Sequence, residues 1–359
     1  MKFFLLSSIL VAAFFLSGCN TNINSANLNE QSQRLMAGAT FMRSDDAGLT
    51  WKPKMKIDDK KSITGIDVLS MAINPLDPDN IYIGTKANGI FETLDGGETW
   101  RQVPFADRVY GLAFDPFNPN VIYGSGVFEG RAKLFRCAQK DMCMNQQLEW
   151  DEIYTEPSEG TVISSLAIDP ANPQAVYLGT SRGVMLKLSS GERGWLDLKE
   201  MNGPIVGIVF NHADSNNIFF AVFERGIFET KDGGVTAEDV TRSMGTAMNT
   251  SMVYSIATDI NSPGVVYVGT GNGIFQRRPD GSWVELNIIE SSRAYPIRAI
   301  AVNPNDSRQI IYSSAKAIYK SNDGGVTWST FQLDTTKEIG VLRFDPKNPQ
   351  RIFAGLRKF

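Results

Sequence analysis

Histidine is nearly absent from this chain: His212 is the single one among 359 residues. That excludes a metal centre built on several imidazoles and leaves any His-dependent triad hanging on one position. Cysteine is scarce as well. Three residues with no Cys-x-x-Cys pair speak against dithiol redox chemistry and Cys-rich zinc sites. Positive charge is not in excess, since 35 Lys and Arg against 39 Asp and Glu leave a net charge of −4. A nucleic-acid binder would want a basic face, so no nucleic-acid partner is expected. The longest apolar run, Phe3 to Leu16, falls short of the roughly 18 residues that cross a bilayer. No residue set calls for a cofactor or a metal.

Tryptophan is the informative presence. Its six copies stand at 51, 100, 150, 195, 283 and 328, with gaps of 49, 50, 45, 88 and 45. The gap of 88 is twice 44, as though one member were missing. A period of about 45 residues is a repeat signal.

The repeating unit begins with an apolar strand that ends in Asp or Asn, usually before Pro. These anchors are Asn74, Asp115, Asp169, Asn211, Asp259, Asn303 and Asp345. Each is followed by a second β-branched or aromatic strand, such as Ile81-Tyr82-Ile83 or Val266-Tyr267-Val268, then by two more strands. Four short alternating strands per unit, separated by Gly, Pro, Asn and Asp, predict an all-β, seven-bladed β-propeller with four-stranded blades over residues 40–359. The seventh unit reaches only two strands before Phe359, and the segment from Phe41 to Pro53 reads as two more. Pairing of these halves would close the ring and leave no open sheet edge.

Ahead of the repeats, Lys2 and the apolar run lead to Leu16-Ser17-Gly18-Cys19. This resembles the lipobox of bacterial lipoproteins. The resemblance implies a signal peptide over 1–18, lipidation of Cys19, and a membrane partnership through that anchor, with Asn20 directing the protein to the outer membrane. Residues 19–39, rich in Asn, Gln and Ser, then read as a flexible polar tether.

Four turns between third and fourth strands share Ser/Thr-x-Asp-x-Gly-x-Thr, and three of them finish in Trp: Ser44 to Trp51, Thr93 to Trp100, Ser321 to Trp328, and Thr230 to Ala237. They resemble the Asp-box, or BNR, repeat of sialidases, sortilin-type receptors, xyloglucanases and photosystem assembly factors. An Asp there accepts backbone N–H bonds and a Gly supplies positive φ. Asp46, Asp95, Asp232 and Asp323, with Trp51, Trp100 and Trp328, are therefore expected to be structural. In the second unit Cys137 and Cys143 stand where this turn should be, and in an oxidising compartment they are expected to form a disulfide.

Strand polarity gathers the remaining loops at the opposite, top rim. Counting back from the anchors, positions six and three are apolar throughout, whereas positions five and seven vary. The variable set yields a candidate ligand-binding mouth of Arg108, Tyr110, Tyr254 and Arg298, with Asp67 and Glu338 as nearby charge. Turns between second and third strands add seven Lys or Arg against two Glu, a locally basic face that would suit an acidic polypeptide or glycan. A sialidase-like clamp needs three Arg, and Arg343 lies on the opposite register to Arg298. Xyloglucanase-like enzymes usually carry two propellers where this chain has one. His212 replaces the Pro of a turn and reads as a surface residue. The expected function is thus a non-catalytic binding or assembly scaffold in the cell envelope, for an envelope protein or glycan. Glycoside hydrolysis of extracellular or periplasmic glycans is the alternative.

Overall fold

The computed structural model describes residues 36–145, 150–188, 195–244, 250–289 and 295–359. Its strands form seven four-stranded antiparallel sheets. Six are contiguous in sequence. The seventh is ordered Lys52–Pro53, Phe41–Ser44, Ile352–Arg357, Glu338–Phe344, so both ends of the chain share one blade. Phe41 pairs with Gly355 and Ser44 with Ile352. The propeller and its closure therefore follow the sequence expectation. Blades are numbered 1 to 7 below by their anchors, Asn74 to Asp345.

At every anchor the side-chain oxygen accepts the N–H group two residues on. The side-chain oxygen of Asp115, for example, accepts the N–H groups of Phe117 and Asn118, each at 2.9 Å, and those of Asn74, Asp169 and Asp345 do likewise. A carboxylate committed to backbone donors is a turn former, which accounts for Asp115, Asp169 and Asp345 with two donors each and Asp259 with one.

The Ser/Thr-x-Asp turns are equally uniform. Asp323 Oδ1 accepts the Ser321 hydroxyl (2.7 Å) and the Thr327 N–H (2.9 Å), Oδ2 accepts the Thr327 hydroxyl (2.5 Å), and Ser321 Oγ accepts the Gly325 N–H (2.8 Å). Asp46, Asp95 and Asp232 repeat the pattern. The Thr hydroxyl and N–H hold the carboxyls of Asp46, Asp232 and Asp323 down at about 2, so these groups are acceptors with no proton to give near neutrality.

Each such turn is also tied to its blade's first turn. Gly96, Gly233 and Gly324 donate N–H bonds to the carbonyls of Asp79, Asn216 and Arg308, all five residues beyond an anchor. In blade 2 the corresponding carbonyl, that of Asn120, is taken at 2.8 Å by the N–H of Lys140. Lys140 opens the short helix Lys140–Met144 inside the Cys137–Cys143 disulfide loop. The disulfide loop thus fills the place of the missing turn. Closing a loop this short contributes about 2 kcal/mol by restricting the unfolded chain. In blade 5 the guanidinium of Arg277 reaches the equivalent carbonyl of Gly264 at 2.9 Å.

Tryptophans fasten neighbouring blades. The indole N–H of Trp100 donates to Lys54 O of blade 7 (2.8 Å), that of Trp195 to Ile153 O of blade 2 (2.8 Å), and that of Trp328 to Asn287 O of blade 5 (2.9 Å). Residues Met36–Ala39, placed in the tether by composition, lie against this body: Ala39 is buried and Ala37 O accepts the Thr336 N–H. The tether's remainder, the signal segment and Cys19 fall outside the described residues.

Candidate functional site

One register irregularity recurs in every blade. Pairing of the first strand with the second skips a single residue, between Val68 and Ser70, Val109 and Gly111, Ile163 and Ser165, and so on round the ring. The skipped residues are Leu69, Tyr110, Ser164, Val206, Tyr254, Arg298 and Gly340. They are the positions five back from each anchor that varied in the sequence. A bulge frees its residue from the ladder and re-aims the side chain. All seven border an axial cavity of about 440 Å³. The residue before each bulge, from Val68 to Ile339, is almost wholly buried between blades.

The residue after the bulge packs with unusual economy. It faces a second-strand partner as Ser70–Gly84, Gly111–Ser125, Ser165–Gly179, Gly207–Ala221, Ser255–Gly269, Ala299–Ser313 or Val341–Gly355. Every pair contains a Gly or an Ala, on one strand or the other. A Cβ added at Gly84 would meet the Ser70 hydroxyl and lie 2.7 Å from Val109 O. Three of the five hydroxyls in these pairs are used across blades: Ser70, Ser255 and Ser313 donate to the carbonyls of Val109, Ile297 and Ile339, at 3.0, 2.8 and 3.1 Å. Close approach here keeps the cavity narrow and its lining fixed.

The predicted mouth residues separate into two groups. Tyr110, Tyr254 and Arg298 line the cavity. Asp67 and Arg108 stand outside it at the rim, where their carbonyls accept the N–H groups of Lys86 and Val127; Arg108 is exposed. Glu338 joins the first group through Arg298, whose Nε donates to Glu338 Oε2 at 2.9 Å. Asp67 is engaged by the buried Lys337, 3.3 Å away, and by the N–H of Lys358. Burial pushes the Lys337 ammonium down, an effect partly offset by Asp67.

Sequence reasoning missed three cavity residues. Arg343 was set aside for its register, yet it lines the same cavity as Arg298. Strict alternation was assumed along the strand, and the bulge at Arg298 and Gly340 breaks that parity. Arg357 and Phe359 also border the cavity, with the Phe359 ring 3.6 Å from the Arg298 guanidinium and 4.0 Å from that of Arg357. Arg357 is one of the seven basic turn residues of the expected top face, and the structure sets it at the cavity itself. Burial, and next the like charge of Arg298, lower its pKa to about 10. His212 is exposed in the first turn of blade 4, away from this cavity. No group of His, Cys, Asp and Glu among the described residues could hold a metal ion.

No family model matches the chain. By sequence it is similar to the xyloglucanase Xgh74A of Acetivibrio thermocellus, 23% identical over 329 residues covering 80% of this chain and 35% of that protein. A xyloglucanase of Paenibacillus is 23% identical over 304 residues, covering 74% and 26%. The chain therefore spans about a third of the length of the curated relatives it matches. Among solved structures, the Niastella koreensis GH74 enzyme superposes with a TM-score of 0.67 at 18% identity, covering 81% of this chain and 51% of that one. YCF48 from Cyanidioschyzon merolae does so with 0.60 at 15% identity, covering 88% and 99%. These superpositions establish the fold. The sequence relatives correct the expected function: they are hydrolytic enzymes, and the expectation of a non-catalytic scaffold does not stand beside them. The repeated turns already resemble those of xyloglucanases, and the alternative of glycoside hydrolysis fits these relatives better than the scaffold does. In fold the chain is a seven-bladed β-propeller resembling GH74 xyloglucanases and YCF48.

Proposed function

We propose that the protein is a glycoside hydrolase acting on a xyloglucan-type β-glucan at the mouth of the axial cavity. The observation that carries this reading is sequence similarity to xyloglucanases over four-fifths of the chain. The mouth supplies suitable groups. Glycosidases work with a pair of carboxylates flanking the scissile bond, and Asp67 and Glu338 are the carboxylates at the mouth, each held by a cation, Lys337 and Arg298. Tyr110 and Tyr254 offer flat faces on which sugar rings can stack. The fourfold Ser/Thr-x-Asp-x-Gly-x-Thr turn is, in this reading, an Asp-box that builds the scaffold and takes no part in chemistry.

Purified protein incubated with xyloglucan is expected to release new reducing ends. Asp67→Asn and Glu338→Gln should each slow release by about a hundredfold or more, the usual worth of a positioned acid or base. Absence of hydrolysis by the wild type, or full activity in both variants, would sink the assignment.

We also propose export and anchoring through Leu16-Ser17-Gly18-Cys19, which would place the enzyme at the outer membrane beside extracellular or periplasmic glycans. Two signals or several chains are needed for stable anchoring. Cys19→Ala is expected to move the protein from the membrane to the soluble fraction, and an unchanged distribution in fractionated cells would count against the anchor.

A further inference from the structure

The inner strand of blade 7 bulges at a glycine, and this makes room for a side chain from the strand beside it. A Cβ at Gly340 would stand 3.0 Å from Arg357 Nε, so Arg357 fills the place that a bulge side chain takes in other blades. Arg357 ends the second strand, and Lys358 and Phe359 run on beyond the ladder. Other contacts fasten them. The Lys358 N–H donates to Asp67 Oδ1 at 3.1 Å, the same oxygen that Lys337 Nζ approaches at 3.3 Å. The Phe359 ring meets the guanidiniums of Arg298 and Arg357, 3.6 and 4.0 Å from its centroid. Arg298 also lies over the Tyr254 ring, 5.4 Å from its centroid, while its Nε donates to Glu338. Cation and ring thus alternate across the mouth, from Arg357 of blade 7 through Phe359 and Arg298 of blade 6 to Tyr254 of blade 5.

These contacts fall on the groups that hydrolysis at this mouth would use. Asp67 gives an oxygen to the Lys358 N–H, and its side chain is only 15% exposed. Glu338 is bonded to the arginine on which Phe359 packs, and Tyr254 has that same arginine over its ring. Resting on the hydrolase reading, we infer that Lys358 and Phe359 form a self-inhibitory strap, which closed bars a glycan from Asp67, Glu338 and Tyr254 and must lift before substrate binds. The fastening suits a latch that reopens. Phe359 is 51% exposed, and cation–π contacts at a half-exposed ring are individually weak. One backbone hydrogen bond adds a modest net contribution. A segment held in this way opens without unfolding the blade behind it. Where the open form is a minor fraction of the protein, apparent affinity falls by that fraction.

Titration calorimetry with a neutral xyloglucan oligosaccharide, on the wild type, Phe359→Ala and Phe359→Tyr, tests the strap. Phe359→Ala is expected to bind about tenfold tighter, as for a wild type in which roughly a tenth of the molecules are open. Phe359→Tyr keeps the ring and should keep the wild-type affinity. Weaker binding by Phe359→Ala would make the ring a platform for the sugar and overturn the strap, and an unchanged affinity would overturn it too. Hydrogen exchange at the Lys358 N–H follows the strap without any need for hydrolysis. It is expected to quicken in Phe359→Ala, and in the wild type when the oligosaccharide is added. Slower exchange on adding the sugar would mean that the segment closes onto its ligand, and self-inhibition would fall. A protein that binds no xyloglucan oligosaccharide, yet shows faster Lys358 exchange in Phe359→Ala, would lose the xyloglucan reading and keep the strap. Exchange unchanged in that variant would remove the strap whatever the sugar does.

Discussion

Trp100→Ala is expected to destabilise the protein by about 3–5 kcal/mol, the usual loss when a large buried aromatic is truncated. Trp100 is 2% exposed, packs edge-on against Phe41 with centroids 4.9 Å apart, and donates its indole N–H to Lys54 O. Phe41 belongs to the strand that closes blade 7, so this one contact joins blade 1 to the ring closure. Phe41→Ala should cost a similar amount. Because the two rings touch, the double variant should lose clearly less than the sum of the single losses, by 0.5 kcal/mol or more. Trp100→Phe keeps most of the packing and gives up one hydrogen bond, about 1 kcal/mol. Trp150 provides the contrast: its buried indole N–H has no acceptor among the described residues, so Trp150→Phe should cost less. Urea unfolding of the five proteins would settle the order. Equal losses for Trp100→Phe and Trp150→Phe would remove the bond to Lys54 from the account.

Gly84→Ser is expected to cost about 3 kcal/mol, at the upper end for overpacking a tight interior. The new Cβ would collide with the Ser70 hydroxyl and with Val109 of the next blade. Ser70→Gly introduced into the same chain should recover a large part of that loss. The reason lies in the other blades, where Gly111 faces Ser125 and Gly207 faces Ala221, the same pair with large and small exchanged. Ser313 shows that a hydroxyl on the second strand reaches the next blade's carbonyl as well as one on the first. Recovery is expected to be partial, since Val109 must still shift. A double variant no more stable than Gly84→Ser alone would show that the limit is set by Val109 and not by the opposing pair.

Much of the fold was legible because its signals are local. An Asp or Asn that accepts the next two N–H groups, and a Thr that caps an Asp four residues earlier, leave the same signature wherever they occur. Seven repetitions made the blade count and the split blade readable, and they identified Cys137 and Cys143 as a replacement for a turn. The site was only half legible. Tyr110, Tyr254 and Arg298 emerged because variable positions in a repeat mark where the blades differ in their surroundings. Arg343 did not, since strand alternation is a rule for unbroken ladders and each inner strand is bulged. Arg357 and Phe359 escaped because they belong to a second strand and the tail beyond it, not to the inner strands that carry the varying register. The likeness to xyloglucanases is spread over four-fifths of the chain, and the repeated Asp turn, shared with non-enzymes, is too general to select them.

The blade shared by both ends of the chain also sets the order of assembly. Phe41–Ser44 emerges from the ribosome first, yet its partner Ile352–Arg357 follows about three hundred residues later. Through that interval six blades can each fold from contiguous sequence, while the earliest strand, paired only with Lys52–Pro53, waits with its other hydrogen-bonding edge unfilled. Joining them carries the entropy of closing nearly the whole chain into a loop, and it belongs to the slow class of long-range β pairings. Until the ring shuts, Phe41 and Phe353 are surfaces that another unfinished copy could capture. The step that completes the last blade is therefore the step at which a newborn chain is most exposed to the wrong partner.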